Sequence, residues 1–192
     1  MNRLPPFAIP LAAGFFGLGA LALLSLGDST VTAPVPTAPA GQPGRFFSWL
    51  EFTRSGTASR LKLDNTPTPE AAARIKQLCK AILDPLRAHL SRAVRITSGY
   101  RAPAVNKALK GAASNSQHMA GEAADIKVAG IPAEQLAAII VRLGLPFDQV
   151  IWYDAERGGH VHVSFTTRRA NRGEMLHAPA GGGYRPWSPA NA

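Results

Sequence analysis

The run Ser114-Asn115-Ser116-Gln117-His118-Met119-Ala120-Gly121-Glu122-Ala123-Ala124-Asp125-Ile126 sets a histidine and an aspartate on either side of six residues that include a glycine. Glycine enters left-handed backbone without a Cβ penalty, so Gly121 permits a tight turn. Beyond it, Glu122 to Val128 alternates: Asp125 and Lys127 fall on one face, and Ala124, Ile126 and Val128 on the other, as in a half-buried strand. Such a turn brings a loop histidine and a strand aspartate to one point. Downstream, His160-Val161-His162-Val163-Ser164 also alternates and places both histidines and Ser164 on a single face. Two imidazoles and one carboxylate are a common catalytic zinc set with a fourth position left for water. A zinc so held lowers the pKa of water to about 7 and polarises a carbonyl. Neither spacing is specific alone, but their coincidence makes His118, Asp125, His160 and His162 the candidate ligands.

Working outward, Val94 to Thr97 reads as a short strand that ends at Ser98-Gly99-Tyr100-Arg101. Before it, Thr68-Pro69-Glu70 has the form of a helix start: an N-cap, a first-turn proline and an acid near the positive end. Ile75, Leu78, Cys79, Ile82, Leu83, Leu86 and Leu90 recur at helical spacing and predict one apolar face, with Pro85 kinking the helix or ending its first part. Cys79 lies on that stripe and reads as a buried, inert thiol. Ala104 to Lys110 fits a helical turn or two, and Pro132 to Leu143 a helix closed by Gly144. Gln149 to Tyr153 and His160 to Phe165 complete the strands. The fold class is α+β, helices first and then a small sheet with one more helix. The folded domain is expected over 46–177, followed by an irregular tail over 178–192 that carries Gly181-Gly182-Gly183 and several prolines.

The N-terminus is of another kind. Between Leu4 and Leu26 there is no charged residue, which is length enough for a membrane-crossing helix of about 20 residues. Arg3 and the α-amino group precede it and favour an N-in orientation. Residues 1–26 are therefore read as a hydrophobic helix serving as a signal-anchor or signal peptide. The uncleaved form is preferred because the A-x-A pattern Ala38-Pro39-Ala40 lies far beyond the apolar core. Residues 27–45, rich in Pro, Ala and Thr, read as an extended tether. Either way the domain is expected to be exported, outside the cytoplasmic membrane. The composition, with 46% apolar and 17% charged residues, excludes a wholly disordered chain, and a single cysteine excludes a disulfide framework or a Cys-rich zinc ribbon.

Several motifs in order carry a resemblance. Phe52-Thr53, Asp64-Asn65-Thr66-Pro67, Leu83-Asp84-Pro85-Leu86-Arg87, Ser98-Gly99-Tyr100-Arg101, Asn106, the opening run from Ser114 to Ile126, and His162-Val163-Ser164 resemble the M15 family of zinc peptidases. That family includes D-alanyl-D-alanine carboxypeptidases and dipeptidases, and phage endolysins that cut the L-alanyl–D-glutamate bond. The resemblance spans about Phe46 to Phe165 and is nearest the carboxypeptidase branch. It implies a small mixed α/β domain with a central antiparallel sheet, one Zn2+ held by His118, Asp125 and His162, and peptidoglycan stem peptides as substrate. It also implies Arg101 as the cation that binds substrate and stabilises charge on the tetrahedral intermediate, and Ser116 as a substrate-side hydroxyl. Many relatives carry an acid three residues before the last zinc histidine as general base. Here that position is Gly159. Asp154 is the first candidate in its place, with Glu156 and His160 as alternatives.

The leading expectation is thus a monomeric, exported zinc peptidase acting through a zinc-activated water, as a D,D-carboxypeptidase or an L-Ala-D-Glu endopeptidase. The rival is a catalytically inactive cell-wall-binding module with a structural zinc, favoured by Gly159. The net charge of +9 and pI near 10.4 alone would suit nucleic acid, but the export segment argues against that partner. From Phe46 to Lys110 there are 12 Lys+Arg against 4 Asp+Glu, whereas from Gly111 to Ala178 there are 6 against 7. The excess on the helical half suits attachment to an anionic cell-wall or membrane surface.

Overall fold

The computed structural model describes residues 41–189. The apolar N-terminal segment, most of the tether and the last three residues lie outside the described residues. Among the described residues no helix is long and apolar enough to cross a membrane.

Two short helices, α1 (Trp49–Thr53) and α2 (Gly56–Leu61), lead into a long one. It opens as α3 (Pro69–Leu78), where the Thr68 hydroxyl accepts from the Ala71 N–H at 3.2 Å and Pro69 occupies a position whose N–H would find no partner. Pro85 does not end it. The chain widens into a π-helical turn over Cys79–Leu83, in which the Asp84 N–H reaches the Cys79 carbonyl, and continues as α4 (Asp84–Leu90). Pro85 lacks the N–H that would bond the carbonyl four residues back, and the widened turn lies just before it. Of the predicted stripe, Ile75, Leu78, Cys79, Ile82, Leu83 and Leu86 are wholly buried, and burial pushes the Cys79 thiol far up, as an inert core cysteine requires. The domain begins before residue 46: Pro43 is buried, and the Arg45 and Phe46 N–H groups donate to the Asp84 carboxylate at 2.9 and 3.3 Å.

Six strands form one sheet in the order β1-β2-β4-β3-β5-β6. They are β1 (Val94–Ser98), β2 (Ala123–Val128), β3 (Gln149–Tyr153), β4 (Val161–Ser164), β5 (Glu174–Ala178) and β6 (Arg185–Pro186). All neighbours are antiparallel except β3 and β5. Three further helices, α5 (Pro103–Lys107), α6 (Gln117–Ala120) and α7 (Ala133–Arg142), lie between strands. One sheet face presents Ala124, Ile126, Val150, Val161 and Val163, and α7 buries Leu136, Ala137 and Ile140 in the same core. The opposite face is set by register. Asp125 pairs with His162, and His162 with Ile151, so these three side chains share the side away from that core.

The mixed α/β architecture with a largely antiparallel sheet agrees with the expected class, but the tail does not stay irregular. It returns as β6 beside β5, the Trp187 N–H donates to the Met175 carbonyl at 3.0 Å, and the Trp187 ring packs edge-on against Trp152. Two aromatic anchors, Trp187 and Tyr184, offset the flexibility of the glycines before them.

Candidate metal centre

The loop after β1 is built first. The Tyr100 N–H donates to the Phe52 carbonyl at 2.8 Å, and the buried Asn65 amide donates to the Thr53 and Tyr100 carbonyls while its oxygen accepts from the Ala102 N–H at 2.8 Å. This fixes the Gly99 carbonyl and Arg101. His118, on α6, places Nδ1 2.7 Å from the Gly99 oxygen. A carbonyl only accepts, so Nδ1 carries the proton and Nε2 presents its lone pair. After α6, Gly121 takes φ +74° and passes so close to α3 that a Cβ would collide with the Ala71 carbonyl. Gly121→Ala is therefore expected to cost at least about 1–3 kcal/mol from backbone conformation alone, read as a lowered thermal midpoint.

His118 Nε2, His162 Nδ1 and Asp125 Oδ1 then converge. The three separations are 3.2 Å between the imidazole nitrogens, 3.0 Å from His162 to Asp125 and 3.3 Å from His118 to Asp125. Ligands about 2.0–2.1 Å from a tetrahedral zinc stand about 3.3–3.4 Å apart, so the triangle matches one face of that tetrahedron to within a few tenths of an ångström. All three residues are buried, and together they form a group able to hold a metal ion. The other Asp125 oxygen accepts from Arg101 Nη2 at 3.1 Å, and Arg101 Nε donates to the Ser98 hydroxyl at 3.1 Å. Burial alone would raise the Asp125 carboxyl, but the charges and hydrogen bonds of His118 and His162 outweigh it and hold the group well below the ordinary carboxylate range. Burial acts on His162 in the same sense as on any cation and lowers it, which favours the neutral, ligating imidazole.

The triad opens into a cleft of about 830 Å³, which is room for a ligand of several residues. Arg101 and Ser116 line it, as do Gln149, Tyr153 and Tyr184. Tyr153 lies on the triad's face of β3, its hydroxyl 3.3 Å from that of Tyr184, and burial pushes its pKa upward. The three base candidates do not line this cleft. Asp154 has the parity of Val150 and Trp152 on β3, toward the helix-covered face, where its oxygens accept from His177 Nε2 and the Ala180 N–H, each at 2.8 Å. These bonds, the His177 one first, keep its carboxyl below the ordinary value. His160 does share the face of His162, but stacks on the Tyr153 ring with centroids 4.2 Å apart. Glu156 sits in the short 3-10 turn Ala155–Arg157. Gly159 adopts φ +52°, with Ala155 3.4 Å from where a Cβ would be, a backbone that a side-chain-bearing residue enters only with strain. Among the described residues, Asp125 is the one acidic side chain that lines the cleft.

The family model for peptidase M15 matches residues 46–164, the span that contains the triad and the loops that orient it. The chain belongs to the peptidase M15 family. No curated protein matches it. In this M15 chain the family match stops at the end of β4, so β5, β6 and the connection leading to them extend past it.

The sequence reading passed over both the arginines of that extension and two acids inside the matched span. Two acids at the strand ends, Glu122 and Asp148, are wholly buried. Glu122 accepts from Arg168 Nε and Nη2 at 2.7 Å each and from the Thr166 hydroxyl at 2.8 Å. Asp148 accepts from Arg169, from Arg172 and, at 3.0 Å, from the Gln117 amide beside His118. The signal was the run Arg168-Arg169-Ala170-Asn171-Arg172, which is lost when charge is averaged over half the chain. Burial would push the Asp148 carboxyl up, but Arg169 and then Arg172 outweigh it and hold it far down. Its folded pKa thus lies below the unfolded value near 3.8. Asp148 therefore contributes stability that is fully present above that value and is lost as the pH falls below it. Thermal midpoints measured from pH 6 down to pH 2 should fall most steeply below about pH 4, and Asp148→Asn should flatten that fall.

Proposed function

We propose that this M15 peptidase is a zinc-dependent hydrolase of peptidoglycan stem peptides, cleaving as a D,D-carboxypeptidase or an L-Ala-D-Glu type endopeptidase. The observation that carries the reading is the donor triangle of His118 Nε2, Asp125 Oδ1 and His162 Nδ1 at the floor of a cleft large enough for a peptide. A zinc ion bound there supplies Lewis acidity, lowering the pKa of water and polarising a substrate carbonyl. The chain's own groups do the rest. The Gly99 carbonyl fixes the His118 tautomer, and Arg101 holds the outer oxygen of Asp125 so that the inner one faces the two imidazoles. Arg101, whose side chain is 18% exposed, has N–H groups left to face charge developing on the substrate carbonyl. Ser116 and the Tyr153 and Tyr184 hydroxyls line the cleft as hydrogen-bonding groups for the peptide. The reading also places the domain outside the cytoplasmic membrane, with its basic helical half toward an anionic wall or membrane surface.

One observation favours a second reading. With Gly159 in place of an acid and no carboxylate but Asp125 lining the cleft among the described residues, the domain also suits a wall-binding module that keeps zinc structurally. Zinc-loaded protein incubated with purified peptidoglycan and followed by mass spectrometry separates the two. New peptide termini are expected, and their mass identifies the bond; zinc-loaded protein that binds the polymer without releasing any fragment would overturn the enzyme reading.

A further inference from the structure

The connection between β4 and β5 brings Arg168, Arg169 and Arg172 to the wall of the triad's cleft. Each is tethered from behind. Arg168 spans both oxygens of Glu122, and Arg169 forks the two oxygens of Asp148. Arg172 adds an N–H to Asp148 at 2.8 Å and pairs with Glu174 at 2.9 Å. The two anchoring acids have side chains at most 1% exposed, whereas the arginine side chains are 57%, 48% and 45% exposed. At Glu122 and Asp148 the negative charge is turned inward while their arginines stay turned outward; Glu174, the further partner of Arg172, is itself 37% exposed.

Charge and hydrogen-bond capacity both exceed what anchoring needs. With Arg74, 3.8 Å from Glu122, four guanidiniums meet three carboxylates. Arg168 directs only Nε and Nη2 to Glu122, which leaves both Nη1 hydrogens, and Arg169 leaves Nε. Arg101 likewise spends Nε and one Nη2 hydrogen on Ser98 and Asp125, beside the triad itself. An anion entering the cleft meets no opposing carboxylate except Asp125, which already faces Arg101 and two imidazoles.

We propose that Arg168, Arg169 and Arg172 form a preorganised anion subsite that seats a carboxylate of the substrate while its scissile bond lies at the triad. The subsite rests on the peptidase reading above and deepens it. Guanidiniums recognise carboxylates through paired, charge-assisted N–H donors, and side chains already ordered by buried acids lose little further freedom on binding. A stem peptide offers that carboxylate from two places, the chain-terminal D-alanine or the free α-carboxylate of an internal γ-linked D-glutamate. The first makes the protein an exopeptidase and the second an endopeptidase.

Calorimetry of the full, zinc-loaded chain with uncleavable ketomethylene peptides tests this without turnover. One probe is an N-acetylated D-alanyl-D-alanine tripeptide whose only carboxylate is terminal. The other is an end-blocked L-alanyl-γ-D-glutamyl peptide whose only carboxylate is internal. Each is compared with its carboxamide. One carboxylate probe is expected to bind about tenfold or more tighter than its carboxamide, and which pair shows the preference identifies the source. In Arg168→Gln and Arg172→Gln the preference should shrink at least threefold while the carboxamides bind as before. Arg168→Lys, which keeps a cation beside Glu122 and so protects the fold, should keep part of the preference. Equal affinity within both pairs, or a preference untouched in all three variants when each is measured well below its own thermal midpoint, overturns the subsite. Failure to cleave native peptidoglycan would instead overturn the peptidase reading and leave the binding comparison standing.

Discussion

Replacing His162 with alanine is expected to remove zinc and peptide hydrolysis together while the fold stays in place. His162 Nδ1 supplies one corner of a triangle whose other corners, His118 Nε2 and Asp125 Oδ1, lie 3.3 Å apart. Two donors do not retain a catalytic zinc at neutral pH as three do. Metal content should fall from one ion per chain to none after dialysis, and kcat/KM by about 10³-fold or more, since the metal's Lewis acidity is worth several kcal/mol of barrier. The surrounding strands are held by Val161 and Val163, buried in the core on the opposite face, so the circular dichroism spectrum should be unchanged. A His162→Ala protein that keeps one zinc per chain would refute the assignment of the triad.

The second large effect is on stability. Glu122→Gln keeps the shape and the acceptor for Thr166, but removes the charge that Arg168 spans and that Arg74 approaches from α3. Breaking one partner out of a buried ion pair typically costs about 3–5 kcal/mol, which for a domain of this size lowers the thermal midpoint by roughly 10 °C. Arg168 is half exposed and can turn to water, which places the cost toward the lower end of that range. A midpoint within 2–3 °C of wild type, a small shift on that scale, would show that the bidentate pair contributes no more than a surface contact. The same variant should loosen the connection to β5 first, visible as faster amide exchange over 166–173 than over β2.

How much was legible in the sequence follows from the range of each interaction. The long helix, α7 and strands β1 to β4 are written in local periodicity, and the alternation of Asp125 and His162 already placed those side chains on usable faces. The strand β5 was not legible. Glu174-Met175-Leu176-His177-Ala178 does not alternate, and it becomes a strand through parallel pairing with β3, some 25 residues away. The burial and pairing of Glu122 and Asp148 were not legible, because their arginines lie 46 and 21–24 residues further along. The choice of Asp154 as base overlooked a rule that the sequence did contain. Counting by twos from Val150 puts it on the side of Trp152, where His177 receives it. Averaging charge over Gly111 to Ala178 hid an arrangement in which the acids are buried and the arginines are not.

The register of β2 against β4 has a consequence for when the chain can become active. Asp125 and His162 face each other only in one pairing, and a slip of one residue would send one of them to the face occupied by Ile126 and Val163. No two-donor remnant of the triangle then offers a catalytic metal site. A chain still being made or misfolded thus lacks the metal site, and peptidase capacity appears only with the finished sheet. The fold itself acts as the safety catch.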